Sequence, residues 1–279
     1  MTLPEAEPFA EGIRVARDIP FVETPQRTLR LDLYLPEEES DEGRPLVIWI
    51  HGGGWLGGDK DPCPLAFMAG SGFVVASTTY RFSHEAIFPA QLEDCKAAIR
   101  WLRAHSVRYG IDEERVGVAG ASAGGHLAAL VGTTGGTDRF DVGDHLDRPS
   151  TVQAVCDICG PTDFFGTPLP EGDPMAVALT DAWERLVGAP AETANREKFD
   201  AANPIAYIAE DCPPFLIIHG DADELVPAHQ SELLATALRE HGVDVTLEIV
   251  PGADHGFTGI DLTGTVAAFF EAELKGGER

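Results

Sequence analysis

The stretch VGVAGASAGGHLAALV, residues 116–131, decides the fold of this 279-residue chain. Its first four residues predict an apolar strand, GASAG predicts a tight turn, and the alanine-rich remainder predicts a helix. Glycines on both sides of Ser122 let neighbouring backbone approach closely. At the helix N-terminus, free N–H groups and the helix dipole favour negative charge. The pattern predicts a nucleophilic serine suited to acyl transfer; a Gly-rich turn that only packs a helix on a strand is the alternative.

The remaining chain alternates between apolar strands and amphipathic helices. In the helix predicted over residues 89–105, Leu92, Cys95, Ile99 and Leu102 fall on one face. This alternation implies right-handed crossovers and a mostly parallel sheet with helices on both faces. Further strands are predicted at residues 46–50, 73–77, 152–159, 215–219 and 243–250, and further helices at residues 229–241 and 262–275.

Two strands precede this alternation. Residues 13–21 and 28–35 predict a hairpin that forms an antiparallel N-terminal edge, which brings the expected sheet to eight strands. In the second strand, leucines alternate with Arg30, Asp32 and Tyr34, and this period of two predicts one solvent-exposed face. Residues 1–12 are acidic and contain proline, so we expect a loose arm.

One segment interrupts the regular pattern. Residues 160–213 contain Pro/Gly-rich stretches and a short helical pattern around residues 175–187. Because this segment is too short and interrupted to bury its own core, we expect a small cap-like insertion over the active-site side of the sheet. Residues 1–279 are therefore predicted to form a single α/β domain.

Charge and composition limit the partners. The formal net charge is −26, from 46 acidic and 20 basic residues, and such a field repels nucleic acid and anionic membrane surfaces. No apolar run is long enough to span a membrane, and the N-terminal residues do not resemble a signal peptide. The five cysteines lack disulfide-framework spacing, so we expect free thiols in a reducing cytoplasm. The oligomeric state stays open.

A serine nucleophile needs a neighbouring base, and two later loops supply candidates. One predicted strand is followed by Asp221 and Asp223, and the last strand is followed by Asp254 and His255. Loops at the carboxyl ends of parallel strands meet at one edge of the sheet. The chain order serine, acid, histidine predicts His255 as the base. Asp223, deeper in its loop, is preferred over Asp221 as the acid that orients it, and Asp254 is expected to point elsewhere.

The segment HGGGW, residues 51–55, follows the first buried parallel strand. Three glycines leave main-chain N–H groups unshielded, so this loop could donate to an oxyanion together with the N–H of Ala123. Each such donor typically stabilises the transition state by about 3 kcal/mol. A flexible loop is the alternative, but the position after the strand favours an oxyanion hole.

Four ordered motifs, HGGGW, GASAG, HGDAD and GADHGF, resemble the α/β-hydrolase superfamily, specifically hormone-sensitive-lipase-like esterases. The segments GGDK, FPAQLEDCKAAIRWLR and GPTD are similar to those of bacterial feruloyl/acetyl-xylan-type carbohydrate esterases. The resemblance extends over about residues 15–272 and implies an α/β-hydrolase fold without a cofactor. It also implies Ser122 as nucleophile, Asp223 as acid and His255 as base, with an oxyanion hole formed by the N–H groups of Gly53, Gly54 and Ala123.

Four aromatic side chains are candidates for substrate contact. Trp55 follows the glycines of the predicted oxyanion loop, and Phe164, Phe165 and Trp183 belong to the predicted insertion. Large aromatic side chains also fill cores, so core packing is an equal alternative for each of them.

Other chemical motifs are weaker. Cys156 and Cys159 could suggest a redox or zinc pair, but residues three apart in a strand point to opposite faces, which predicts buried, unbridged thiols. His126, on the nucleophile helix, is expected to be a hydrogen-bonded packing residue. Since no histidine spacing fits a metal motif, we expect neither a metal nor another cofactor.

Together these features predict a cytoplasmic serine carboxylesterase that cleaves small, short-chain acyl esters, with sugar acetyl and aryl esters as candidates, through an acyl-enzyme intermediate. The small-molecule ester is the expected partner. An amide hydrolase of the kynurenine formamidase or oligopeptidase-like type is the enzyme alternative. A hydrolase-fold receptor or scaffold that binds ligand without turnover is the non-enzyme alternative.

Overall fold

The computed structural model describes residues 3–38, 40, 42–166 and 172–276. Within them, nine strands form one sheet in the order β1-β2-β3-β5-β4-β6-β7-β8-β9. The strands are β1 (Glu7–Ala10), β2 (Ile13–Glu23), β3 (Thr28–Pro36), β4 (Arg44–Ile50), β5 (Val74–Thr78), β6 (Ile111–Ala121), β7 (Ala154–Ile158), β8 (Phe215–Gly220) and β9 (Val245–Val250). The helices are α1 (Ala90–Ala104), α2 (Ser106–Tyr109), α3 (Ala123–Thr133), α4 (Pro174–Val187), α5 (Arg196–Asp200), α6 (His229–Glu240) and α7 (Thr263–Lys275).

The sheet is mostly parallel, as the alternation of strands and helices predicts. Strands β5, β4, β6, β7, β8 and β9 run parallel to one another. Strands β1, β2 and β3 form the antiparallel edge, and β3 pairs antiparallel with β5. This arrangement is an α/β-hydrolase fold, and it places the carboxyl ends of the parallel strands at one edge of the sheet.

The expected number of eight strands is wrong, because part of the predicted N-terminal arm pairs with the sheet. Residues Glu7–Ala10 form β1, which lies antiparallel to β2 with Glu7 opposite Val15. All four residues of β1 are classed as exposed, and Phe9 is 43% exposed. This edge strand pairs through main-chain hydrogen bonds. Its sequence therefore has no alternating apolar pattern from which a strand could be predicted.

The expectation that one face of β3 is exposed to solvent is also wrong. Asp32 and Tyr34, on the face predicted to be solvated, are both 0% exposed. The Asp32 carboxylate lies 3.1 Å from Lys60 Nζ and 3.3 Å from Arg17 Nη1. The ring of Tyr34 packs edge-on against Phe9 of β1, with ring centroids 5.0 Å apart. Paired charge and a covering strand therefore make this face part of the interior.

Two apolar layers sandwich the sheet. Helices α1, α3, α4 and α6 pack on one face, where the predicted stripe of α1, including Leu92 and Leu102, is buried. Helix α7 and the 3₁₀ helix Ala66–Ser71 cover the other face. Among the helices of the described residues, none is long and apolar enough to cross a membrane.

The segment 160–213, for which the structure describes residues 160–166 and 172–213, contains helix α4, helix α5 and two 3₁₀ helices, Thr193–Asn195 and Pro204–Tyr207. Leu179, Trp183 and Leu186 of α4 join the apolar layer that also contains α1 and α3. The side chains of this segment therefore extend an existing apolar layer.

Cys156 and Cys159 are free, buried thiols, but not for the predicted reason. Both side chains belong to the same apolar layer, the one that contains α7. Strand β7 ends at Ile158, and Cys159 has a φ of 46°. The alternation of side chains between the two faces of the sheet therefore ends before Cys159. The two thiols therefore lie on one face of the sheet.

Candidate active site

Ser122 lies on a sharp turn between β6 and α3. Its φ of 56° and ψ of −123° are unusual for a residue with a side chain. The Ser122 N–H donates to the carbonyl of Ile158 at 2.8 Å, which ties the turn to β7. A Cβ on Gly120 would lie 2.2 Å from the carbonyl oxygen of Gly124, so the strand and helix can meet only through glycines. The strained turn projects the half-buried serine from the edge of the sheet.

His255 joins Ser122 to Asp223. Its Nε2 lies 2.9 Å from Ser122 Oγ, and its Nδ1 lies 2.6 Å from Asp223 Oδ2. Because a carboxylate oxygen can only accept, Nδ1 carries the proton and Nε2 is left to accept the Ser122 hydroxyl proton. The structure thus brings together three residues separated by up to 133 positions in the chain.

The carboxylate of Asp223 is held in its ionised form. Its side chain is fully buried, and burial by itself disfavours the charge. Hydrogen bonds from His219, His255 and the Val226 N–H outweigh that effect, so the pKa of Asp223 falls well below its usual range. A buried, charged partner suits stabilisation of a protonated His255.

The neighbouring aspartates have other partners. Asp221 Oδ1 accepts the N–H of Gly252 at 2.6 Å, which fixes the turn before the histidine loop. Asp254 is exposed and accepts the N–H of Thr258 at 2.9 Å. The geometry therefore brings Asp223, and neither of the others, to His255.

The HGGGW loop lies beside the turn that carries Ser122. A Cβ on Gly52 would lie 3.3 Å from Ser122 Cβ, and Gly53 and Gly54 adopt φ angles of +114° and +60°. Within the described part of the chain, no main-chain carbonyl accepts a hydrogen bond from the N–H of Gly53 or Gly54. The N–H of Ala123, the first residue of α3, has no partner within the helix. Gly52 and Ala123 thus adjoin Ser122, and Gly53 and Gly54 follow Gly52 in the same loop.

Comparison with known proteins identifies the family to which this chain belongs. A family model described as BD-FAE matches residues 31–238, which include the HGGGW loop, Ser122 and Asp223. The chain belongs to the BD-FAE family. It is an α/β-hydrolase with esterases among its relatives.

Similar proteins span a range of likeness to this BD-FAE chain. Esterase LipC of Mycobacterium tuberculosis is 32% identical over 235 residues, which span 83% of this chain but only 57% of LipC. A truncated carbohydrate esterase from gut microbiota has a TM-score of 0.79 at 30% identity, covering 94% of this chain and 96% of that chain. A thermophilic esterase of Thermogutta terrifontis, Est2, has a TM-score of 0.77 at 25% identity, and the match covers 98% of this chain and 93% of Est2. Esterase 2 of that organism, phosphonylated by sarin, has a TM-score of 0.74 at 25% identity, and the match covers 96% of this chain and 91% of that esterase.

The four predicted substrate-contact aromatics of the BD-FAE chain differ in burial. Trp55 and Trp183 are each 1% exposed and pack on each other with ring centroids 5.0 Å apart. This burial favours the core-packing alternative for both. Phe164 and Phe165 are half-buried, with ring centroids 5.0 Å apart, and both pack on Phe199 of α5. These two phenylalanines keep part of their surface free for a ligand.

His126 lies in the core one turn after Ser122. Its ring is 0% exposed, Nε2 is 2.7 Å from the carbonyl oxygen of Ala202, and both Trp55 and Trp183 pack edge-on against it. Burial lowers the pKa of His126 to about 4, so the ring is neutral at pH 7. These contacts agree with the predicted packing role.

Cys159 adds a thiol beside Asp223 and His255. Its Sγ and the ligand atoms of Asp223 and His255 all lie within 4.8 Å of one another. Each atom already has a partner, however: the thiol lies 3.6 Å from the His255 carbonyl oxygen, and burial raises the pKa of Cys159 above its usual range. That no metal binds stays a prediction.

Two side chains that support the site were missed by sequence reasoning. The Tyr80 hydroxyl donates to the carbonyl of His51 at 3.1 Å, and the Tyr80 ring stacks on the His51 ring with centroids 4.5 Å apart. His219, four residues before Asp223, bonds the same carboxylate oxygen as His255. The HGDAD motif contains His219, so its spacing from Asp223 was the available signal.

Proposed function

We propose that this protein is a serine carboxylesterase that hydrolyses small esters with short acyl chains through an acyl-enzyme intermediate. The observation that carries the proposal is the pair of hydrogen bonds from Ser122 to His255 and from His255 to Asp223, at 2.9 and 2.6 Å. Both distances lie within the range in which a base can activate a nucleophile. The esterase relatives of the family add support for an ester substrate.

In the proposed reaction, Ser122 Oγ attacks the ester carbonyl while His255 Nε2 takes the hydroxyl proton. The carbonyl oxygen becomes an oxyanion, which accepts hydrogen bonds from the N–H groups of Gly53, Gly54 and Ala123. The C–O bond to the alcohol breaks, and His255 returns the proton to the leaving oxygen. Water, activated by the same histidine, then cleaves the acyl-enzyme.

The proposed substrate is small because the insertion lies close to the oxyanion loop. A Cβ on Gly54 would lie 3.8 Å from Ala182 Cβ of α4, and Trp183 of the same helix packs on Trp55. We therefore propose residues 160–213 as a modest cap over the active-site side of a single domain that comprises residues 1–279. Phe164 and Phe165 are the proposed substrate contacts. Sugar acetyl and aryl esters are candidate substrates, and the carbohydrate esterase relative supports the first of them.

A cytoplasmic location is part of the proposal. All five cysteines are free thiols, and four of them are buried, as expected for a protein of a reducing compartment. The excess of acidic residues supports the prediction that neither nucleic acid nor an anionic membrane surface is a partner.

The amide hydrolase and the non-catalytic scaffold are weaker alternatives. The relatives compared above carry esterase names, which favours esters over amides. A scaffold does not require a joined serine, histidine and aspartate, and here all three are hydrogen-bonded in series. Turnover of N-formylkynurenine relative to simple esters would separate the amide hydrolase.

The Ser122→Ala variant tests the mechanism with p-nitrophenyl acetate, butyrate and laurate. We expect acetate or butyrate to be the best substrate and the variant to lose turnover by a factor on the order of 10⁴ or more, because no other group can form the acyl-enzyme. A fluorophosphonate probe should label wild type and leave Ser122→Ala unlabelled. Equal activity of the variant would refute the mechanism, and laurate as best substrate would refute the chain-length preference.

A further inference from the structure

A second histidine lies behind the acid of the proposed triad. His219, on β8, is 0% exposed, and both of its ring nitrogens have partners. Nε2 lies 3.1 Å from Asp223 Oδ2 and 2.8 Å from the carbonyl oxygen of Val226. Nδ1 lies 2.6 Å from the hydroxyl of Ser231 on α6. The ring therefore connects helix α6 to the loop before it, residues 221–228, which contains Asp223 and is here named the acid loop.

The partners of His219 determine its tautomer. Both partners of Nε2 are acceptor oxygens, so Nε2 must carry a proton and donate. In the neutral ring Nδ1 is then an acceptor, and it receives the hydroxyl proton of Ser231. The Ser231 hydroxyl of α6 thus donates to Nδ1, and Nε2 donates to Asp223 and Val226 of the acid loop.

The contacts of Asp223 show what this donation achieves. Its Oδ1 accepts the N–H groups of Leu225 and Val226 at 2.9 and 2.8 Å. Its Oδ2 accepts from His219 and His255. The main-chain bonds hold one oxygen, and the two histidines hold the other. Without His219, only His255 would fix the rotation of the carboxylate at Oδ2.

We infer that His219 is a positioning residue for the proposed esterase reaction: it holds the Asp223 carboxylate and the Val226 carbonyl so that Oδ2 faces His255. This inference rests on the proposed function, since it concerns how the base is oriented. His219 does not touch the reacting atoms and acts only through Asp223. Misplacement of a catalytic group by about 1 Å can lower a rate by about 100-fold, so turnover depends on a fixed carboxylate.

Packing alone does not account for the ring. An apolar side chain could fill the space between β8 and α6 without needing partners for two nitrogens. Buried polar groups are costly unless they are hydrogen-bonded, and here every such bond leads to the acid loop or to Ser231. The ring is thus built to donate at Nε2.

Three substitutions test the inference. In His219→Gln the side-chain amide nitrogen can occupy the position of Nε2 and donate to Asp223 and Val226. In His219→Asn the amide is one methylene too short and reaches only the position of Nδ1. His219→Leu removes both the Nε2 donor and the Nδ1 acceptor. Ile217→Ala is the matched control, because it leaves a cavity at a fully buried residue of the same strand and its aliphatic side chain makes no hydrogen bond to Asp223 or Val226.

Steady-state kinetics on p-nitrophenyl acetate, normalised to the folded fraction from urea denaturation, give the readout. We expect kcat of His219→Gln within about threefold of wild type, and kcat of His219→Asn and His219→Leu about 10- to 100-fold lower, with KM changed less than about twofold. Ile217→Ala should lower stability and leave kcat within about twofold of wild type.

Two results would overturn the inference: equal kcat in the Asn and Gln variants, or wild-type kcat in His219→Leu. If His219→Leu does not fold, the comparison of Gln with Asn still decides. Failure of the proposed function looks different, because wild type would then lack turnover, or Ser122→Ala would keep it.

Discussion

At the scale of single residues, the two aspartates of one loop, Asp221 and Asp223, have different hydrogen-bond partners. Asp223 contacts His255 at 2.6 Å, whereas Asp221 accepts the Gly252 N–H at 2.6 Å. From the sequence, Asp223 is favoured by its depth in the loop and by the resemblance to α/β-hydrolase esterases. The structure separates them, because the turn after β9 brings one partner to each carboxylate.

The Asp223→Asn and Asp221→Asn pair tests this separation. An amide at position 223 can donate to His255 and stabilise the wrong tautomer, so kcat on p-nitrophenyl acetate should fall by a factor on the order of 10³ to 10⁴. Asn at position 221 keeps a carbonyl acceptor for Gly252, so kcat should stay within about threefold. Circular dichroism of both variants controls for folding. A larger loss in Asp221→Asn would show that the two roles are assigned the wrong way round.

At the scale of elements, the site depends on how closely helix α3 approaches strands β4 and β7. A Cβ on Gly124 would lie 2.1 Å from the carbonyl oxygen of Ile50, and one on Gly125 would lie 2.2 Å from Asp157 Oδ1. Neither neighbour can move easily, because Ile50 is in a central strand and Asp157 is fully buried. The helix can therefore begin directly over the sheet only with glycine at these positions.

Gly124→Ala and Gly264→Ala compare a crowded and an open glycine. Gly124→Ala should lower the free energy of unfolding by about 3 kcal/mol or more, because overpacking shifts the backbone of the turn. Gly264 lies in α7, and a Cβ added there would have no neighbour within 4 Å, so alanine should raise stability by about 0.5–1 kcal/mol. Urea denaturation measures both. Wild-type stability and activity in Gly124→Ala would contradict the close approach.

At the scale of the whole molecule, the net charge of −26 sets a repulsive field over the surface. Such a field destabilises the compact state, and salt screens it over a distance of about 10 Å at 0.1 M. Glu11, Glu210 and Glu240 are among the exposed acidic side chains that make no ion pair within the described residues. They contribute repulsion without a compensating partner.

We expect sodium chloride to stabilise the protein. Raising its concentration from about 0.05 to about 0.5 M should raise Tm by a few degrees, on the order of 2–5 °C. Replacing Glu11, Glu210 and Glu240 with lysine changes the net charge from −26 to −20, two charges at each of three positions, and should reduce that rise. Differential scanning fluorimetry measures both proteins. A Tm that falls with salt would mean that surface ion pairs outweigh the repulsion.

Local patterns were enough to predict much of this molecule. Apolar runs and turn residues predicted the strands from β2 to β9 and the loops after β4, β6, β8 and β9, because burial and turn geometry depend on residues close in sequence. That the loops of Ser122, Asp223 and His255 meet was predicted from the topology of a parallel sheet, in which loops at the carboxyl ends of the strands lie at one edge.

Only the tertiary structure decided what depends on residues far apart in the chain. The pairing of β1 left no apolar pattern, and the burial of Asp32 depends on Lys60, which lies 28 residues later. The position of Cys159 depends on where β7 ends. The contact of His219 with the oxygen that also holds His255 depends on the packing of β8 beside β9. Sequence by itself therefore determined most of the elements and the order of the candidate catalytic residues along the chain, whereas long-range packing and charge pairing decided which side chains hold them in place.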